Sequence, residues 1–333
     1  MNSWDENVFD LNGRSIMITG GTGSFGRSFV REILRRYKPR RVVIYSRDEL
    51  KQYEMQTDPE FANRPELRFF IGDVRDLARL ELAMDGIEIV VHAAALKQVP
   101  TAEYNPMECI RTNVMGAENV MLAAIRGNVE KVIALSTDKA ASPVNLYGAS
   151  KLASDKIMIA ANNLAGRRNT RFAVVRYGNV VGSRGSVVPF YRRLIQDGAK
   201  SLPITDPRMT RFWITLPQGV GFVLHCLNRM KGGEIFIPKI PSMRIVDLAR
   251  AMAPHLDTHV VGIRPGEKLH EAMITEDDSY YTLEFDDHYV IEPTFVDSDA
   301  ARHPGGRPVP EGFRYASNLN GHWLSAEEML RLI

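Results

Sequence analysis

Tyr147-Gly-Ala-Ser-Lys151 sets a phenol and an amine four residues apart, which on a helix puts them on one face. A tyrosine with its ordinary pKa of about 10 is a poor base at neutral pH. An ammonium beside it favours the phenolate and lowers that value, so the pair can accept a proton from a hydroxyl group. Just upstream, Ser136-Thr-Asp-Lys-Ala140 supplies two hydroxyls, a carboxyl group and a second amine. On an exposed helix the Tyr147/Lys151 pair would be unremarkable, and Asp138-Lys139 would be a surface ion pair worth little. Their position in the chain gives them chemical meaning.

A second set lies near the start. In Thr19-Gly-Gly-Thr-Gly-Ser-Phe-Gly26 the glycines Gly20, Gly23 and Gly26 are spaced G-x-x-G-x-x-G. Such a turn lets backbone N–H groups approach a pyrophosphate without an intervening Cβ, and the following helix N-terminus stabilises the anion. Thr22, Ser24 and Phe25 complete the contact set. Glycines also serve ordinary turns, but the strand before and the helix after supply the dinucleotide-binding context. About 20 residues on, Ser46-Arg-Asp-Glu-Leu-Lys51 closes the second strand, where the choice between NAD and NADP is made. Arg47 and Lys51 offer donors for a 2′-phosphate, so NADP is expected. Ser46, Asp48 and Glu49 count among the cofactor contacts as well, although the Asp48 charge opposes a phosphate, and a solvated charged loop is the bland alternative. Asp73, in Gly72-Asp-Val74, is placed as an acceptor near the adenine together with Val74, and Ala93-Ala-Ala95 leaves room for the cofactor to lie close.

The elements that must position these residues follow from hydrophobic patterning. Ser15–Thr19, Arg41–Tyr45, Leu67–Ile71, Ile87–His92, Lys131–Ser136 and Arg171–Tyr177 read as strands, with helical stretches between most of them, clearest over Pro106–Gly127. Val- and Ile-rich strands that are apolar on both faces imply a parallel sheet covered on both sides. The alternation predicts an α/β, Rossmann-like doubly wound parallel sheet with a smaller C-terminal substrate-binding cap. Residues 1–178 would mainly hold the cofactor. Residues 179–333 would mainly form the cap, with interleaved segments returning to the core. Glycine, proline and arginine become denser there, in Gly182-Ser-Arg-Gly-Ser186, from Pro203 to Arg211, and in Arg264-Pro-Gly-Glu-Lys268. Ile245–Ala253 reads as a short helix, and Ser325 with Glu328 as the capping box of a last one.

Composition narrows the classes. Of 333 residues, 44% are hydrophobic and 25% charged, enough apolar material for a sizeable core. A net charge of +2 argues against nucleic-acid or membrane-surface binding. The polar start, Met1 to Asn12 with Asp5, Glu6 and Asp10, lacks the features of a signal peptide. No apolar run approaches the roughly 20 residues of a membrane span. Cys109 and Cys226 lie outside metal-like spacing and read as buried free thiols, so no metal and a cytoplasmic setting are expected.

The glycine fingerprint and the Y-x-x-x-K pair together resemble the extended short-chain dehydrogenase/reductase family. In that family the tyrosine takes a proton from a sugar hydroxyl while the nicotinamide takes hydride, and a hydroxyl near the end of the fifth strand assists. Ser136 and Thr137 occupy that place. Asn113, in Thr112-Asn-Val-Met-Gly116, matches the family's helix asparagine that supports the active site. Retaining nucleotide-sugar 4,6-dehydratases carry Asp-Glu next to that hydroxyl. Asp138-Lys139 departs from this and is similar to the inverting UDP-N-acetylglucosamine 4,6-dehydratases of pseudaminic acid biosynthesis. The likeness continues through Ala95-Leu-Lys-Gln-Val-Pro100, Val175-Arg-Tyr-Gly-Asn-Val-Val-Gly182, Met209-Thr-Arg-Phe-Trp213 and Ile263-Arg-Pro-Gly-Glu-Lys-Leu-His-Glu271.

What the resemblance implies can be stated residue by residue. Thr137, Asp138, Lys139, Tyr147 and Lys151 carry the reaction. Leu135, Ser136 and Val180 join the NADP contacts, with Tyr147 and Lys151 touching the cofactor as well. Lys97, Asn179, Thr205, Arg211 and Arg264 surround UDP-N-acetylglucosamine. Lys139 would be the base at C5, its pKa lowered by desolvation and by the positive charge of Lys151 and the nicotinamide, while Asp138 pulls it the other way. Asp138 would be the acid toward the C6 oxygen, and is therefore expected to be protonated. Pairing of Lys139 with a substrate phosphate is the bland alternative. A homo-oligomer is implied, with Pro106–Gly127 and Ala149–Ala165 pairing across a dimer interface. A 4-epimerase, a retaining dehydratase, and a non-catalytic NADP-sensing or scaffold protein are the competing readings.

Overall fold

The computed structural model describes Trp4, residues 8–183, 185–294 and 303–333. Asp5 and Glu6 of the polar start, and Arg184 of the Gly182–Ser186 stretch, lie outside the described residues.

Six parallel strands form the body of the main sheet: β1 (Ser15–Thr19), β2 (Arg41–Ser46), β3 (Leu67–Ile71), β4 (Ile89–His92), β5 (Lys131–Thr137) and β6 (Arg171–Tyr177). Their spatial order is β3-β2-β1-β4-β5-β6. The chain therefore reverses direction across the sheet between β1 and β4, and such a switch point opens a crevice at the strands' C-terminal ends. Ile16, Ile18, Val42, Ile44, Val90, Val132 and Val174 are wholly buried. Each such aliphatic side chain contributes about 1.5–3 kcal/mol by leaving water. This is why these strands read as continuous apolar runs rather than alternating ones.

Helices cover the sheet: α1 (Ser24–Arg36), α2 (Glu49–Thr57), α3 (Leu77–Met84), α4 (Val99–Tyr104), α5 (Pro106–Ile110), α6 (Gly116–Arg126) and α7 (Leu146–Ala165). The stretch expected as one helix over Pro106–Gly127 is two, joined by a wider π-helical turn at Arg111–Met115. The turn contains Asn113, whose amide reaches sideways to bond the Leu96 N–H and C=O, each at 2.8 Å. The helix α7 starts at Leu146, three residues before the expected Ala149, because Asn145 caps it by accepting the Gly148 N–H at 2.7 Å. The fourth strand begins at Ile89 rather than Ile87, and the fifth runs one residue further, to Thr137.

The later half contributes to two bodies. Ile235–Pro238 pairs in parallel with β6. His288–Ile291, Thr282–Glu284 and Arg307–Pro308 follow in antiparallel pairing, completing a ten-stranded sheet among the described residues. The rest forms a smaller body in which Thr210–Ile214 pairs with Asn179–Val180 and Ser242–Arg244. That body has its own core, including Val188, Tyr191, Trp213, Met243 and Leu248. Its helix Ile245–Met252 ends one residue short of the expected Ala253. The last helix, Ala326–Leu332, carries the expected capping box: Glu328 accepts the Ser325 N–H at 2.8 Å and donates its own N–H to the Ser325 hydroxyl at 3.2 Å. Cys109 and Cys226 are both buried free thiols. No helix among the described residues is long and apolar enough to cross a membrane.

Candidate active site

A groove of about 630 Å³ runs along the C-terminal ends of the strands at the switch point and under the smaller body. One end is built by the turn after β1. Gly20 has φ +68°, and a Cβ there would lie 2.9 Å from Ala94 Cα, in the segment after β4. A Cβ on Gly26 would lie 2.3 Å from the Gly21 carbonyl oxygen. Only glycine lets the first turn of α1 sit this close to β1. Gly20, Thr22, Gly23, Ser24, Phe25 and Gly26 all line the groove, as do Val74, Ala93, Leu135 and Val180. A cradle that a Cβ would fill, beneath a 13-residue helix aimed at it, fits a dinucleotide pyrophosphate.

Beyond it, Ser46, Arg47, Asp48 and Lys51 line the groove at the end of β2. The Ser46 and Thr22 hydroxyls lie 2.9 Å apart. Asp48, which read as opposing a 2′-phosphate, is engaged locally: it caps α2 by accepting the Lys51 N–H at 3.0 Å and pairs with the Lys51 ammonium at 2.5 Å. Arg47 is more than half exposed, with only a 3.8 Å approach to Asp73. Asp73 lines the groove, but its carboxylate already receives the Arg75 guanidinium at 2.7 and 3.0 Å. Glu49 sits in the first turn of α2 and is not part of the groove lining.

At the other end β5 delivers Thr137, and α7 delivers Tyr147 and Lys151, all three lining the groove. Asn113 organises their surroundings by donating to the Ser150 hydroxyl at 2.9 Å, and Ser150 donates to the Tyr147 carbonyl at 2.8 Å. Tyr147 is buried, and its phenol is not lowered as its spacing to Lys151 predicts: burial pushes it up to about 12, against the opposing pull of Lys139 and a hydrogen bond with Thr137. Burial lowers the Lys151 ammonium, with Asp155 acting the other way. Ser136 also lines the groove, but its hydroxyl donates to Asp155 at 2.8 Å, so Thr137 is the hydroxyl associated with the tyrosine.

Asp138 is completely buried. Its Oδ1 accepts from the Thr137 hydroxyl at 3.0 Å and from Lys139 Nζ at 3.1 Å. Burial raises its pKa, as a proton-donating role needs. For Lys139 the structure differs from the sequence expectation. Burial would lower the ammonium's pKa, but Asp138 and then Glu271, 3.4 Å away, outweigh burial and raise it. The cation that acts on it is Arg211 rather than the expected Lys151, and the two carboxyl groups outweigh it.

The residues expected around a sugar diphosphate divide. Lys97 and Asn179 line the groove, and Asn179 Oδ1 lies 3.5 Å from Lys139 Nζ. Thr205, Arg211 and Arg264 are not part of the lining. The Arg211 guanidinium is committed to the carbonyls of Thr210 (2.7 Å), Lys268 (2.9 Å) and Leu269 (3.2 Å). Arg264 forms a surface pair with Glu267, and Thr205 follows a strand of the smaller body, Ser201–Ile204.

Two groups escaped the sequence reading. Glu271, buried at the end of the Ile263–Glu271 run, contacts Lys139, Lys268 (3.4 Å) and Arg211 (3.9 Å). Nothing local marks it; the fold brings it to the turn after β5. Asp155 holds Ser136 and the buried Arg176 (3.3 Å). Its signal was available, since it stands four residues after Lys151 on the same helix face.

A family model described as polysaccharide biosynthesis protein matches residues 16–293. The chain is 59% identical over 330 residues to a UDP-N-acetylglucosamine 4,6-dehydratase (inverting) of Campylobacter jejuni, covering 97% of this chain and 98% of that one. It is 40% identical to a UDP-glucose 4-epimerase of Rickettsia canadensis, covering 96% and 95%. Among solved structures, Pen from Bacillus thuringiensis superposes with a TM-score of 0.89 at 35% identity, covering 98% of both chains.

Proposed function

We propose a function from one premise: this chain belongs to the polysaccharide biosynthesis protein family, whose match spans the groove, all but the outermost strand of the sheet, and most of the smaller body. It is a nucleotide-sugar 4,6-dehydratase on the extended short-chain dehydrogenase/reductase fold, acting on UDP-N-acetylglucosamine with inversion at C5. The observation that carries this reading is the grouping of Thr137, Asp138 and Lys139 with Tyr147 at one end of a dinucleotide groove, in a chain 59% identical to a dehydratase of that specificity.

In the mechanism that follows, Tyr147 accepts the proton of the sugar's 4-hydroxyl, with Thr137 and Lys151 beside it. NADP held by the glycine turn after β1 would supply a hydride acceptor at C4 and a hydride donor at C6. The 4-keto group acidifies the C5 proton, which Lys139 removes. Asp138 protonates the C6 oxygen as it leaves as water. Solvent delivers a proton to C5 from the opposite face, giving the 4-keto-6-deoxy sugar with inverted C5, after which Tyr147 and Lys139 release their protons to solvent and Asp138 regains one. Hydride lost is hydride regained, so no external oxidant is consumed. Residues 1–178 mainly serve the cofactor and 179–333 mainly cover the sugar nucleotide. We place the reaction in the cytoplasm, as a step toward pseudaminic acid.

Incubation with UDP-N-acetylglucosamine in D₂O tests this. The expected product is a 4-keto-6-deoxy sugar carrying deuterium at an inverted C5. The Rickettsia relative favours a second reading, a 4-epimerase, which needs only the tyrosine, the lysine and a hydroxyl. An epimer without C5 deuterium would establish that reading instead.

NADP rather than NAD is assigned from Arg47 and Lys51 at the end of β2. Arg47→Ala is expected to weaken NADP at least about tenfold more than NAD by calorimetry, since a guanidinium–phosphate contact is worth more than 1 kcal/mol. Equal weakening of both dinucleotides would overturn the assignment. A homo-oligomer is proposed from the helices around α5, α6 and α7, where Tyr104, Met107, Met115 and Leu164 are at least half exposed. Light scattering at micromolar concentration should give a dimer or larger, and a monomer would remove the proposal.

A further inference from the structure

Building on the dehydratase reading, we propose that Glu271 is a positioning residue that fixes the Lys139 amine and sets the pH range in which it can serve as the C5 base. The geometry is that of a clasp. The run from Arg264 to Glu271 is tied over the 138–145 loop: Asn145 donates to the Gly266 carbonyl at 2.7 Å, and the Lys268 ammonium to the Ala141 carbonyl at 2.6 Å. Glu271 itself is held by Ser317, which accepts its N–H at 3.0 Å and donates its own N–H to the Glu271 carbonyl at 2.7 Å. The carboxylate is thereby fixed with Oε1 3.4 Å from Lys139 Nζ and Oε2 3.4 Å from Lys268 Nζ, only 3% exposed.

The charged and titratable groups facing Lys139 are Asp138 from the turn after β5, Tyr147 from α7, Arg211 from the strand Thr210–Ile214, and Glu271. Lys268 faces Glu271 from the other side. The reaction needs Asp138 protonated, and its burial favours that form. Once Asp138 is neutral, Glu271 is the remaining anion on Lys139. Arg211, Lys268 and Lys139 outweigh its burial and keep it ionised. An anion at this distance stabilises the ammonium, so the amine becomes a base only at higher pH, and removing the anion lowers that threshold.

The test is the pH dependence of C5 deuterium incorporation at saturating UDP-N-acetylglucosamine and NADP. Glu271→Gln should move the acid limb down by about one to two pH units, the size of effect expected when an opposite charge within 4–6 Å is removed. Glu271→Asp, which keeps the charge, should leave the limb near its original position. Lys268→Met removes a competing cation and should move it upward. Because these shifts have opposite signs, loss of one variant to misfolding leaves the proposal open to refutation by the other. An unmoved limb in both Glu271→Gln and Lys268→Met overturns the role of Glu271 and leaves the dehydratase reading standing. No C5 exchange in the unaltered protein at any pH overturns the dehydratase reading itself.

Discussion

Tyr147→Phe is expected to lower turnover by roughly 10²–10⁴-fold, the usual contribution of a positioned acid–base group, while NADP binding stays within about twofold of normal. The substitution removes the phenolic oxygen proposed to accept the C4 proton and keeps the ring, which packs with Ala102 and Cys109 in a small apolar cluster. The fold should therefore lose only about 1 kcal/mol, the net worth of a typical hydrogen bond. The lost step comes first in the sequence, so oxidation at C4, C5 exchange and water loss should all fall together. Initial rates with calorimetric NADP binding check this, and a phenylalanine variant that dehydrates at a comparable rate would falsify the assignment of Tyr147.

Lys139→Ala separates oxidation from dehydration. It should bind NADP and nucleotide sugar but lose C5 exchange and product, again by at least about 100-fold. Asp138→Asn should lose water elimination and keep part of the exchange, because an amide cannot donate the proton that the C6 oxygen needs. These are opposite tasks for two neighbours, and the structure supplies the means. Burial pushes Asp138 toward its protonated form, and Glu271, against the burial of the amine, then holds Lys139 charged in the resting site. Before acting as a base the amine must lose that proton, so catalysis is expected to strengthen as pH rises through the neutral range. If Lys139 only paired with a substrate phosphate, Lys139→Ala would raise the substrate requirement and leave turnover and deuterium incorporation near normal at saturation.

The elements that hold the cofactor were legible because their signals are local. The six β strands are short apolar runs, the turn after β1 is glycine-spaced, and Y-x-x-x-K declares its own face of α7. The smaller body was legible mainly as a change of texture. The π-helical turn at Arg111–Met115 was not, since it exists to let Asn113 reach Leu96, a contact with a segment 17 residues away. Arg211 illustrates the converse. An arginine in a suggestive motif reads as a ligand for phosphate, but its guanidinium is spent on three carbonyls. Glu271 lies more than 130 residues from Lys139, and its meaning comes from tertiary placement alone. Charge balance at Lys139 was misjudged for that reason.

The strand Ile235–Pro238 beside β6 has a consequence for how this protein can be cut or shuffled. It comes from the later half yet completes the sheet of the earlier one, and three more strands extend the sheet beyond it. A fragment ending at residue 178 would leave β6, buried along nearly its whole length, as a bare apolar edge, the kind of surface through which chains aggregate. The two halves of the chain are therefore not interchangeable modules. Any replacement of the smaller body's segments has to leave the returning strands in place.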